Sequence, residues 1–226
     1  VDASVGGKTA VDVEWAKNII GSFHQPRLVL MDFSALATLP PREMRQGLAE
    51  VVKYGMIGDR ALFGMLEKVP LSEILAGRRL AGIVERCVRM KAGIVQEDET
   101  DVTGRREVLN FGHTLGHAIE ISALPRFTHG EAVALGMAGE TWIAVNRRLC
   151  GQRVLDRLVG LLRRLGLPWK VFAVDWEKAG RHLIYDKKTR KGRIRLVLPE
   201  GVGRVRTGVE MDPGEVVRIL REWAHG

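Results

Sequence analysis

Beyond residue 40 the apolar positions fall into a helical rhythm. Met44, Leu48, Val51, Val52 and Met56 recur at a spacing that lines one face of a helix over 42–56. The same pattern predicts helices over 61–67, 80–97, 112–121 and 131–149. In the 80–97 stretch Ile83, Cys87, Met90, Ile94 and Val95 share a side. Residues 153–165 turn Leu155, Leu158, Leu162 and Leu165 inward and arginines outward, and 213–223 predict a last helix. Strand signals are few. The run from Arg27 to Asp32, bounded by Pro26, is a short strand candidate. Ile194, Leu196 and Leu198 lead into Pro199-Glu200-Gly201 and then Val205 and Thr207, which predicts a small hairpin. Residues 1–24 read as a glycine-containing loop, Asp2 to Lys8, and a short segment over 15–20. The expected fold is mainly α, with a short α/β piece in front. Pro40-Pro41 divides it into 1–39 and 40–226.

Composition narrows the class. The chain has 226 residues, 46% apolar and 27% charged, the balance of a globular protein. No apolar run approaches the roughly 20 residues that span a bilayer, and no leader stands at the start. The first residue is Val1, already inside a glycine-rich motif, so the start reads as a cut end. Cys87 and Cys150 are far apart and form no disulfide framework. Both read as buried helix thiols in a reducing, cytoplasmic compartment. A net charge of +8 suits either nucleic acid or a small anionic substrate. With 6% aromatic residues and no stacking platform among the basic ones, a small anion is the expected partner, with no nucleic acid and no membrane.

Candidate chemistry concentrates in three histidines. His113 and His117 are four apart, on one helix face, and His129 follows just before the next helix. Such clusters mark metal sites, and a catalytic zinc takes three protein ligands with one position open. Spacing alone favours His113, His117 and His129, or two of them with a carboxylate. Glu50 stands among apolar residues with Lys53 one turn on, which fits either a buried functional carboxylate or a surface ion pair. Ser4-Val5-Gly6-Gly7-Lys8-Thr9 ends like a phosphate-binding loop, but Asp2 occupies the position of that loop's first glycine, so a P-loop is disfavoured.

Taken together, the stretches 1–12, 47–55, 109–120 and 129–137 resemble the 3-dehydroquinate synthase family, in the family's order and across essentially the whole chain. The resemblance implies a two-domain enzyme, an amino-terminal α/β domain that binds NAD and a helical domain that carries zinc. This chain would begin near the end of the first. It implies that Glu50, His113 and His129 are the zinc ligands and that His117 is instead a proton shuttle, and cobalt could replace zinc. Asp2, Lys8, Lys17 and Asn18 would face cofactor and substrate. Lys53, Lys91, Arg106 and Asn110 would bind substrate, joined by Lys187 or Lys188. Glu120, Arg126 and Glu131 sit beside the motifs and read as structural.

The implied reaction converts 3-deoxy-arabino-heptulosonate 7-phosphate to 3-dehydroquinate and phosphate, in aromatic amino acid biosynthesis. A hydroxyl is oxidised transiently, phosphate is eliminated, hydride returns and an internal aldol closes the ring. A homodimer is expected. The near alternative is another sugar phosphate cyclase, such as 2-deoxy-scyllo-inosose synthase. An iron-containing alcohol dehydrogenase has no call for an Arg106 and Lys91 anion pocket. A basic nucleic-acid module would leave the histidine cluster unexplained.

Overall fold

The computed structural model describes residues 1–13, 16–122, 127–171, 174–185 and 192–225, with the side chains of 12–19 and 184–185 excepted. Its centre is α6 (His129–Asn146), in which thirteen of eighteen residues are buried, on all sides of the helix. A helix with no polar face belongs in a core. Around it pack α1 (Pro41–Ile57), α5 (His113–Ser122), α7 (Gln152–Arg164), α9 (Pro213–His225) and strand β3 (Ile194–Gly201). The start of α6 is tied to α1 by Arg42, whose Nε and Nη2 reach the two carboxylate oxygens of Glu131 at 3.0 and 2.8 Å. The second oxygen of Glu131 also accepts from Thr128 N at 2.9 Å, satisfying a backbone donor at the helix entrance. Among the described residues no helix is long and apolar enough to cross a membrane.

Most of the expected helices are present. α2 (Arg60–Leu66) starts where Asp59 accepts from Leu62 N, and α4 (Leu80–Glu97) has the expected bounds. α6 begins two residues before its expected start, on His129 itself. Two helices escaped the periodicity. α3 (Leu71–Leu75) is too short to show one, and α8 (Trp176–Tyr185) has mostly polar residues between its buried Ala179 and Leu183. The carboxy-terminal hairpin forms, β3 against β4 (Arg204–Met211), but its turn falls at Val202-Gly203. Pro199 stays inside the strand, opposite Val205.

The front of the chain differs most from expectation. Two strands pair antiparallel there, β1 (Lys8–Val13) against β2 (Ala16–Phe23), with Val11 opposite Ile20. Both of those side chains are exposed, so no inward face announces the strands by alternation. The 27–32 strand candidate is not a strand. Leu28 and Leu30 are 80% and 88% exposed, and no neighbouring strand among the described residues supplies the ladder that a strand requires. Cys87 is buried in α4, whereas Cys150 lies beyond α6 and is only partly buried; both are free thiols.

Two glycines of α6 set how closely it meets its neighbours. A Cβ on Gly136 would lie 1.9 Å from Gly112 O and 2.7 Å from Gly116 N, so α5 and α6 touch backbone to backbone. A Cβ on Gly130 would lie 2.5 Å from Gln46 O, so the start of α6 presses on α1 in the same way. Since the Gly136 obstacle is rigid backbone, Gly136→Ala should destabilise the fold by about 3 kcal/mol, at the upper end for overpacking. Urea denaturation measures this, and Gly160→Ala, where a Cβ meets nothing within 4 Å, is the control.

Candidate metal centre and anion cleft

The α5–α6 contact decides where the histidines stand. His113 opens α5 and His129 opens α6, and with the helices in contact the two rings lie 5.5 Å apart. His117, one turn along α5, is 5.7 Å from His113 and 5.8 Å from His129. The α5 entrance is held by Glu140 of α6, buried in the core. Its carboxylate accepts from Gly112 N at 2.7 Å and Leu115 N at 3.4 Å. A carboxylate there satisfies orphan donors and suits the positive end of the helix.

From α1, Glu50 points at the same spot. Its Oε1 is 3.3 Å from His113 Nε2 and 3.9 Å from His129 Nε2. These three residues bring ligand atoms within 4.8 Å of one another; His117, Glu120 and His129 form a second such group. His113 Nδ1 lies 3.3 Å from Phe111 O, an acceptor for a proton on Nδ1 that would free Nε2, on the Glu50 side, for a metal. Lys53 Nζ is 2.5 Å from Glu50 Oε2. The pair suggested by the i, i+3 spacing therefore exists, but inside the protein, with Lys53 only 4% exposed. Burial pushes the Glu50 carboxyl up, yet the Lys53 charge and the His113 contact outweigh it and hold Glu50 well below the usual carboxylate range. Burial, aided by Lys53, lowers His113 against the pull of Glu50, which favours the neutral ring. An ionised carboxylate and neutral imidazoles are the protonation states that a divalent metal requires.

Beside this centre opens a cleft of about 490 Å³. Of the expected residues, Glu50, Lys53, His113, His129, Asp2, Lys8, Lys91, Arg106 and Asn110 line it. His117 is not among the residues that line it. Asp2 is buried and accepts a hydrogen bond from the Tyr54 hydroxyl, while Lys91 Nζ reaches its carbonyl at 2.9 Å and its carboxylate at 3.1 Å. Burial raises the Asp2 carboxyl, but Lys91 and Tyr54 bring it below the usual value. Arg106, 4% exposed, donates to Gly6 O and Glu99 O, both at 3.0 Å, and its buried Nε has no hydrogen-bond partner among the described residues. Lys8 pairs with Asp101. Lys17 and Asn18 lie on β2 with their side chains outside the described part, and Lys187 and Lys188 lie outside the described residues altogether.

Tyr54 and Gln46, which line the cleft from α1, went unnoticed in the sequence, and Glu120, read there as structural, places its Oε2 3.4 Å from His129 Nδ1. A signal for Glu120 existed, since His113, His117 and Glu120 follow the i, i+4, i+7 rhythm of one helix face.

Comparison with known proteins agrees along the chain. The family described as 3-dehydroquinate synthase C-terminal matches residues 47–189, and that described as 3-dehydroquinate synthase N-terminal matches residues 1–46. The 3-dehydroquinate synthase of Gloeobacter violaceus is 44% identical over 229 residues, covering 100% of this chain and 63% of the relative. That of Pelobacter propionicus is 46% identical over 206 residues, covering 90% and 57%. The chain thus spans about three fifths of the length of these curated relatives. Among solved structures, 2-epi-5-epi-valiolone synthase from Streptomyces hygroscopicus subsp. jinggangensis, with NAD+ and Zn2+ bound, superposes with a TM-score of 0.84 at 31% identity, covering 100% of this chain and 63% of that one. A 2-deoxy-scyllo-inosose synthase complexed with carbaglucose-6-phosphate, NAD+ and Co2+ gives 0.82 at 25% identity, covering 98% and 63%.

The loop that delivers Arg106 depends on Asp98. Its Oδ1 accepts from Val102 N and Thr103 N at 2.9 and 3.1 Å, and its Oδ2 from Arg106 N at 3.3 Å. Burial works to raise this carboxyl, but the backbone donors take it from 3.8 to about 2. A depressed pKa stabilises the fold above the unfolded value and loses that effect as pH falls through the folded one. The stability difference between the unmodified chain and Asp98→Asn should therefore be constant above about pH 5, shrink as pH falls through the range between the two pKa values, and lose its ionisation-dependent part below the folded one. Urea denaturation across that range checks the sign.

Proposed function

Since the chain belongs to the 3-dehydroquinate synthase family, we propose that it supplies the metal- and substrate-binding part of an enzyme that converts 3-deoxy-arabino-heptulosonate 7-phosphate to 3-dehydroquinate and phosphate. Residues 1–39 are then the end of an NAD-binding α/β domain, and 40–226 the helical domain. The observation that carries the reading is the convergence of Glu50, His113 and His129, from three different helices, on one point beside a cleft lined with cations. The donor set, one carboxylate and two imidazoles with room for a substrate oxygen, suits a catalytic zinc; cobalt is also compatible. Zinc and cobalt, each with NAD+, are bound in the two cyclase neighbours.

When bound, the metal would make the substrate hydroxyl more acidic, and NAD would take up and return the hydride. The chain's own residues do the rest. Glu50, His113 and His129 hold the ion, and Lys53 keeps Glu50 ionised. His117, one turn along α5 from His113, accepts and returns the hydroxyl proton at a ring nitrogen. Lys53, Lys91 and Arg106 bind the carboxylate and phosphate of the substrate, and Asn110 offers an amide to its hydroxyls. Lys187 is a further basic contact, and Asp2, Lys8, Lys17 and Asn18 face the cofactor. By the same family reading the enzyme works in the cytoplasm as a homodimer.

Elemental analysis of the zinc-equilibrated, dialysed chain tests the metal centre. About one zinc per chain is expected, lost in Glu50→Ala, His113→Ala and His129→Ala and kept in His117→Ala. Loss in His117→Ala with retention in Glu50→Ala would instead install the three histidines as ligands. Phosphate release from the heptulosonate phosphate, in competition with a hexose 6-phosphate, separates this activity from that of a 2-deoxy-scyllo-inosose synthase.

A further inference from the structure

Three features lie outside the roles assigned so far: the exposed leucines of 27–32, the cleft between Arg147 and Arg206, and Glu120. Nothing shows what would cover the leucines. Arg147 and Arg206 are already paired, with Glu215 and Glu200. Glu120 carries an inference.

Glu120 is buried on α5, two turns beyond His113, with Oε2 at 3.4 Å from His129 Nδ1. The opposite nitrogen of that ring, Nε2, faces Glu50. A neutral imidazole has one N–H and one lone pair, so it cannot coordinate an ion on both sides. For His113 the Phe111 carbonyl lies 3.3 Å from Nδ1, a partner for a proton there that would leave Nε2 for the Glu50 side. The matching arrangement for His129 places its proton on Nδ1, donated to Glu120, and its lone pair on Nε2. His129 is otherwise the least constrained of the ligands. It opens its helix, and its side chain is 50% exposed.

We infer that Glu120 is a positioning residue of the metal centre: it holds His129 as the Nδ1–H tautomer, with Nε2 aimed at the ion shared with Glu50 and His113. The competing role is ligation, with Glu120, His117 and His129 holding the ion through Nδ1. The inference rests on the metal centre proposed above, and the contact it describes is one that commonly tunes ligating histidines.

Two readouts test it. The first is the histidine tautomer in the metal-free chain, by long-range 1H–15N NMR near pH 8, with His129→Ala assigning the ring. The second is zinc affinity by chelator competition, with stoichiometry. The unmodified chain should show His129 as Nδ1–H. Glu120→Ala should mix the two tautomers and weaken zinc by about 10- to 100-fold while still binding one ion. Glu120→Gln, which keeps an acceptor, should retain the tautomer and weaken zinc less than Glu120→Ala does. An unchanged tautomer and affinity in Glu120→Ala would overturn the inference alone. Loss of the ion in Glu120→Gln would make Glu120 a ligand and overturn it as well. If Glu120→Ala fails to fold, Glu120→Gln decides: one ion bound severalfold more weakly supports positioning, and unchanged affinity or a lost ion refutes it. An unmodified chain that takes up no zinc sinks the metal centre first and this inference with it.

Discussion

The structure turns on the contact between α5 and α6, where Gly136 meets the backbone of Gly112 and Gly116 with no side chain between. That contact brings the first residues of both helices together, and each of those residues is a histidine. Glu140 reinforces it by reaching from the interior of one helix to cap the other. Gly130 repeats the device against Gln46 and so brings α1, with Glu50, to the same place. Packing of small residues therefore sets how closely the rings approach, and the polar contacts orient what packing has already positioned. The interior is dense enough that such positions transmit strain instead of absorbing it.

Electrostatics around the centre follows from burial. A lone buried carboxylate is strongly disfavoured, and Glu50 stays ionised because Lys53, from the next turn, is buried with it. Asp2 is matched in the same way by Lys91 and by the neutral hydroxyl of Tyr54. Burial and the Asp2 charge both push the Tyr54 phenol up, so it remains a donor. The glycine loop that carries Asp2 is attached to the helices largely through these side chains and through Arg106.

The parts of this arrangement that were legible in the sequence are those governed by local periodicity. The faces of α1, α4 and α7 could be read from their leucines and valines, and His113 and His117 from a spacing of four. Spacing could not choose between His117 and Glu50, because the choice depends on how α1 crosses α6, and the residue that permits the crossing is a glycine with no pattern of its own. Glu50 came from family resemblance, and its carboxylate lies 3.3 Å from His113 Nε2. The pairing of β1 with β2 was missed because Val11 and Ile20 face outward, and the 27–32 run was taken for a strand although strand character needs a neighbour that its own sequence does not encode. Lys187 lies outside the described residues.

The cations of the cleft differ in what they can offer a newcomer. Lys91 already spends its ammonium on the carbonyl and carboxylate of Asp2, so an incoming anion competes with a protein group and gains only the difference between the two sets of contacts. Arg106 is occupied on two sides by Gly6 and Glu99, but its Nε is buried with a donor to spare. A ligand that reaches that nitrogen adds a hydrogen bond without breaking one. Selectivity in this cleft thus follows from which partners a guest must displace, and formal charge alone is a poor guide to how tightly each cation will hold it.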